Sequence, residues 1–240
     1  MAIALRGVGT EAHASSGNIT PALPTGANAP VADDIGLIFA LTGANPTLSV
    51  SGWTAVTNGT LNLGATAQIA LFYKRMAGGD SNPTITGATQ DIQANILVFS
   101  GCTTSGEPVS AISSRSNTAS TTVTADAITP ADADSMIIFF GSQYDTGSAT
   151  STFSGYSGTN PTFTEGFDNN FQGSTINTSI CSAYGTKNDT TTTGSRTATA
   201  TSSLAGGAFL LSLIPAGAAG GSGRLVNGCL VNGLLMGSLA

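Results

Sequence analysis

A block that opens with proline, passes through acidic residues and ends in an apolar run occurs twice, and this internal echo limits the fold more than any other feature. Pro30-Val31-Ala32-Asp33-Asp34-Ile35-Gly36-Leu37-Ile38-Phe39 returns one hundred residues later as Pro130-Ala131-Asp132-Ala133-Asp134-Ser135-Met136-Ile137-Ile138-Phe139. Ser51-Gly52-Trp53 finds a counterpart in Ser154-Gly155-Tyr156, and Leu71-Phe72-Tyr73-Lys74 in Ser182-Ala183-Tyr184. Ala94-Asn95-Ile96-Leu97-Val98-Phe99 matches Gly207-Ala208-Phe209-Leu210-Leu211, and the order is unbroken throughout. Two similar half-domains of about four strands each, laid face to face, bury their inner surfaces as a jelly-roll-like β-sandwich. Neither half is expected to fold alone. Proline fixes the approach to each apolar strand, and aspartate side chains bond local backbone donors in the turn.

Eight segments read as strands: Ile35 to Leu41, Ala67 to Arg75, Ala94 to Ser100, Thr121 to Ala125, Met136 to Gly141, Thr178 to Tyr184, Arg196 to Thr201 and Ala208 to Ile214. Each is rich in β-branched or aromatic residues and is bounded by Gly, Pro, Asn, Asp or Ser. The continuous apolar runs are too short for amphipathic helices and fit central strands. The expected fold class is therefore all-β, with arms at both ends: residues 1–20 an N-terminal arm, 21–215 the sandwich, 216–223 a flexible linker and 224–240 a C-terminal apolar arm. The linker, Ala216-Gly217-Ala218-Ala219-Gly220-Gly221-Ser222-Gly223, is flexible by composition.

Composition restricts the partners. Only 8% of residues are charged, the formal net charge is -6, and the seven Lys and Arg are scattered. Phosphate backbones are held by clustered cations, so a direct nucleic-acid partner is not expected. Lys74-Arg75, the one adjacent basic pair, reads as a solubilising strand end. With 40% hydrophobic residues the chain has material for a core and does not read as disordered. Cys102, Cys181 and Cys229 cannot all pair within one chain and match no zinc or redox spacing, so reduced, mostly buried thiols are expected. The start, Met1-Ala2-Ile3-Ala4-Leu5-Arg6, lacks the basic and long apolar regions of a secretory signal, which implies synthesis in a cytoplasm. The stretch from Leu225 to Ala240 is interrupted by Asn227, Asn232 and glycines and is shorter than the roughly 20 residues of a membrane helix, so no membrane partner is expected.

Little of the sequence reads as catalytic. His13 is the single histidine and lies ahead of the repeated core, with no neighbouring base-orienting partner in sequence. Glu11, Glu107 and Glu165 show no sign of sharing a cleft, and exposed turn acids explain them. No GxSxG, Walker or dinucleotide fingerprint occurs. Asp33, Asp34, Asp132 and Asp134 resemble turn caps more than calcium ligands. Trp53 and Tyr156, at matching places in the two halves, are either sugar-stacking platforms or packing residues, and packing is favoured. The chain is accordingly expected to be no enzyme and to need no cofactor or metal.

The two-half architecture and the Gly/Asn-punctuated tail opening Arg224-Leu225-Val226-Asn227-Gly228 together resemble bacteriophage virion proteins of the jelly-roll type, especially capsid cement or decoration proteins. That resemblance implies a homotrimer in the virion, made in the host cytoplasm, whose partners are the major capsid protein or other virion proteins. The apolar residues Leu225, Val226, Leu230, Val231, Leu234, Leu235 and Met236, on a flexible tether, are an aggregation hazard unless a partner covers them, and they are the expected partner-binding residues. Two other classes stay open: a phage tail or fibre module binding a host-surface glycan, and a secreted carbohydrate-active enzyme.

Overall fold

The computed structural model describes residues 2–217. The apolar segment 224–240, with Leu225, Val226, Leu230, Val231, Leu234, Leu235 and Met236, lies outside the described residues. The first half of the chain supplies β1 (Ala4–Val8), β2 (Ala12–Ala14), β3 (Ile35–Gly43), β4 (Ser49–Val50), β5 (Thr54–Leu63), β6 (Ala67–Arg75), β7 (Ile85–Thr86) and β8 (Ile92–Ser100). The second half supplies β9 (Val109–Ala125), β10 (Ser135–Asp145), β11 (Phe153–Ser154), β12 (Thr164–Phe171), β13 (Asn177–Lys187) and β14 (Arg196–Leu213). Strands β4 and β7 form a separate two-stranded ribbon, and the rest form two six-stranded antiparallel sheets. The described fold is an all-β sandwich.

Both sheets have one plan. In the first, β3 lies between β8 and β6, β5 lies outside β6, and β1 and β2 both pair with β8. In the second, β10 lies between β14 and β13, β12 lies outside β13, and β9 and β11 both pair with β14. Matching residues sit across matching strands: Leu97, Leu37 and Tyr73 make a row in one sheet, and Leu211, Ile138 and Tyr184 make it in the other. Successive strands stay within one sheet, so the order supports a two-layer sandwich of two similar halves without adding support for the jelly-roll detail. The halves join through the segment 101–108, and each contributes six strands to its sheet, more than the four expected.

The register of the echo is one residue off the sequence match. Aligned by sequence, Phe39 corresponds to Phe139, yet Phe39 points between the sheets and stacks on Phe140, with ring centroids 4.8 Å apart and planes 4° from parallel. Phe139 points the opposite way. The turns agree with the ladder: Asp33 and Asp134 both have positive φ, 69° and 60°, as befits residues tolerant of the left-handed region. A slip of one residue turns every side chain to the other face.

That ambiguity has a cause in the packing. Three apolar layers exist. The middle one lies between the sheets and holds Ile35, Leu37, Phe39, Leu41, Ile138, Phe140, Phe209 and Leu211. An outer layer on the first sheet gathers Ile38, Ala40, Phe72, Ile96 and Val98 beneath connecting segments that supply Ile19, Leu23 and Met76. A third, on the second sheet, gathers Ile137, Phe139, Cys181 and Leu210 beneath Ile128 and Phe153. Central strands buried on both faces need no alternation, so they read as unbroken apolar runs.

The expected N-terminal arm, residues 1–20, departs from the structure. Strands β1 and β2 pair with β8 and belong to the first sheet, Arg6 forms an ion pair with Asp34, and Ile3 is in the middle layer. Their short length and small residues hid them from a reading based on β-branched runs.

Candidate functional site

Strand β8 sends Gln93, Asn95, Leu97 and Phe99 toward the sheet interface, with Asp91 just ahead of it, so this row is apolar at one end and polar at the other. The polar end builds a seam with β12 and the turn after it. The Asp91 carboxylate accepts the backbone N–H of Ser174, Thr175 and Ile176 at 2.7, 2.6 and 2.9 Å. Burial alone would raise its pKa, but the bonds from Ile176, Ser174 and Thr175 outweigh that and hold it below the usual carboxylate value. Asn95 Nδ2 donates to Asn169 Oδ1 at 2.7 Å.

His13 completes the seam. It lies on β2 opposite Gln93, contrary to its expected place outside the core, and stacks on Phe171 with centroids 4.2 Å apart. Its Nδ1 is 3.1 Å from Glu11 Oε1, which also accepts a 2.7 Å bond from Gln93 Nε2. The histidine therefore has an orienting carboxylate after all, brought in by the strand pairing. The groups bonded around it are amides and a carboxylate, and one ring face is covered by Phe171. The arrangement clamps sheet to sheet.

Across the sandwich the other flank is formed by β5 and β9, which run side by side as outer strands of their sheets. A cleft of about 300 Å³ lies between them, lined by Thr57, Asn58, Glu107, Val109, Ser110, Ala111 and Ile112. Glu107 bridges it, accepting the Thr57 N–H at 3.1 Å and the Thr57 hydroxyl at 2.9 Å. Beside this cleft the described chain ends. Ile214 N–H donates to Pro108 O, Pro215 bridges to Cys102, and Ala216 N–H donates to Gly101 O. Gly101, at φ +77°, also sits so close to Ala2 O that a Cβ there would strike it, so both ends of the described chain meet at one corner.

The other sequence candidates are dispersed. The Asp34 carboxylate accepts Val31 N–H at 2.9 Å, acting as a turn cap as well as the partner of Arg6. Trp53 lies over Gly36 against Met76, and Tyr156 meets Phe139 edge-on at 6.0 Å, so both aromatics pack on outer sheet faces. Lys74 pairs with Asp80 at 2.8 Å, and Arg75 bonds the carbonyls of Thr103 and Gly106, holding the segment that joins the halves. The three glutamates occupy three separate surroundings, with Glu165 on β12. Cys102 and Cys181 are buried free thiols; burial pushes Cys102 up to about 12 and Cys181 upward as well.

Three residues escaped the sequence reading. Asp91 is one. Lys187 is buried, with Nζ 2.6 Å from Asp189 Oδ1, whose pKa is driven down by Lys187 first and then by Thr191 and Asn160. Asp168 accepts Phe153 N–H at 2.8 Å while its other oxygen is buried without a bond; burial raises its pKa to about 6, against the pull of the Phe153 amide and with a smaller push from Glu165. Asp91 and Asp168 bond residues far along the chain, which their own stretches do not announce, while Lys187 has its partner two residues on and nothing in the sequence marks it as buried. No protein-family model, curated protein or solved structure matches the chain.

Proposed function

We propose that this chain is a non-enzymatic virion structural protein, a capsid cement or decoration protein that stabilises the shell by bridging capsid subunits and sister copies through residues 224–240. The observation that carries the reading is how completely the sandwich covers its own apolar surface. Among the described residues Val31, at 48% exposure, is the one large apolar side chain left open. The body thus offers a partner little apolar surface, while Leu225, Val226, Leu230, Val231, Leu234, Leu235 and Met236 belong to the segment that comes after the last described residue in the sequence. A charge-poor body whose sequence continues into an apolar segment suits an assembly role, in which contacts repeated around a trimer multiply through effective concentration. The alternative, a tail or fibre module holding a host glycan on Trp53 and Tyr156, loses support because those rings are engaged in packing.

Purified particles carrying a density label fused after Ala240 test the reading. Label at repeated capsid positions is expected. Label confined to tail fibres, or particles lacking the protein, overturns it.

A further inference from the structure

We propose that the β5–β9 cleft is the receptor for the apolar C-terminal segment Leu225–Met236 of a second copy of this chain; the inference rests on the assembly reading above and names the surface that reading requires. Both cleft walls are outer strands, β5 paired with β6 and β9 with β14, so each has one edge without a neighbouring strand, and at Thr57 and Asn58 the β5 ladder is itself interrupted between Ala55 and Thr60. An extended segment entering there can add a strand to a sheet edge, the commonest way an exposed edge takes a peptide. The Thr57 N–H is held by the Glu107 carboxylate in the meantime. Val109 and Ile112 give the cleft an apolar floor continuous with the middle layer.

Charge and reach point to the same occupant. Glu107 is the one charged residue lining the cleft, and Arg224 is the one charged residue between Ala216 and Ala240, placed immediately before the apolar repeat. Ile214 bonds Pro108, which lies between the lining residues Glu107 and Val109, and the described chain ends within three residues of that bond, against Gly101. The eight residues Ala216 to Gly223 extend at most roughly 26–29 Å, ample to cross to a neighbour packed at that corner. A second copy, and not the same one, is the occupant because a cleft of about 300 Å³ is too small for three apolar pairs. A tail folded back on its own cleft leaves Leu and Val pairs bare, whereas a tail passing between copies buries the remainder in the joint.

The full chain carrying Thr57→Cys is oxidised mildly and run on a non-reducing gel; Cys229 is the natural thiol in the tail, and the buried Cys102 and Cys181 do not compete. Covalent oligomers are expected, and they disappear when Cys229→Ser is added. Ser110→Cys, on the opposite wall, repeats the measurement should Thr57→Cys fail to fold. Glu107→Arg abolishes the cross-link, and adding Arg224→Glu restores it. A cross-link confined within single chains overturns the proposal. So does the absence of any cross-link in a chain that still loses its oligomer when residues 224–240 are deleted, although that result leaves the assembly reading standing. A chain monomeric both with and without those residues overturns both.

Discussion

The two halves of this molecule share a backbone plan and differ in how they close the sandwich. Where the first half places Gln93 and Asn95 on the inward row of β8, with Asp91 just ahead of it, the second places Ala205, Gly207 and Phe209 on the corresponding row of β14. The first flank is consequently stitched by hydrogen bonds, three amides to Asp91 and Asn95 to Asn169, and by the His13–Phe171 stack. Near the second row, Leu61 and Leu63 approach Gly207, and on that flank the polar links are Glu107 with Thr57 at the cleft and the Tyr144 hydroxyl donating to Leu63 O at 3.3 Å. Duplication supplies matching strands, but each seam is closed by its own residues. The less stitched seam is the one beside the chain's exit.

The largest effects should ignore the difference between halves. Phe39 and Phe140 are equivalent and stacked, so Phe39→Ala and Phe140→Ala should each cost about 3–5 kcal/mol in denaturant unfolding. Unequal losses would break the equivalence of the halves. Flank chemistry comes next. Asp91→Ala strips the buried Ile176 amide and the part-buried Ser174 and Thr175 amides of their acceptor and should cost about 2–4 kcal/mol. Glu107→Ala, on the cleft, should cost less than about 1 kcal/mol because its partners are exposed to water. Similar losses at the two sites would erase the contrast between the seams.

Smaller still is the pH dependence, where the two halves have opposite signs. Asp91 has a lowered folded pKa, so its contribution is present above the ordinary value near 3.8 and is lost as pH falls through the folded value. Asp168, raised to about 6, contributes most below pH 3.8 and loses that contribution as pH rises through about 6. Its carboxyl is partly open to solvent, which limits the change to about 1 kcal/mol. Thermal melts of Asp168→Asn should lack that decline between pH 4 and 7. If the slope survives the substitution, it belongs to another group. Smallest of all, adding reductant should leave the melting temperature unchanged, because Cys102 and Cys181 are free thiols in different layers. A drop would reveal a bridge.

What the sequence shows of this fold follows burial. The central strands β3, β6, β8 and β10 and the C-terminal part of β14 announce themselves because both faces are covered and each carries an apolar run, while β13 shows through Ile180, Tyr184 and its threonines. The outer strands β5 and β12 do not: Thr-Ala-Val-Thr-Asn-Gly-Thr-Leu-Asn-Leu and Thr-Glu-Gly-Phe-Asp-Asn-Asn-Phe are half exposed and rich in residues disfavoured in strands. The same burial that makes central strands legible hides their register, since an unbroken run does not say whether Phe39 answers Phe139 or Phe140. Distant partnerships were equally silent. Asp91 reaches residues 174–176, and Glu11 reaches Gln93, across separations that only strand pairing closes. Echoed turns, in contrast, were readable: Gly52 and Gly155, both with positive φ, mark the same bend ahead of Trp53 and Tyr156.

The sandwich is complete in itself, and we propose that association is the work of residues 224–240. Deleting residues 224–240 and measuring both the melting curve and occupancy on purified particles tests this most directly. The expected product is a soluble, β-rich protein with an unchanged melting temperature, no stable oligomer and no binding to particles. A truncated chain that keeps its oligomeric state and occupies particles fully would contradict it.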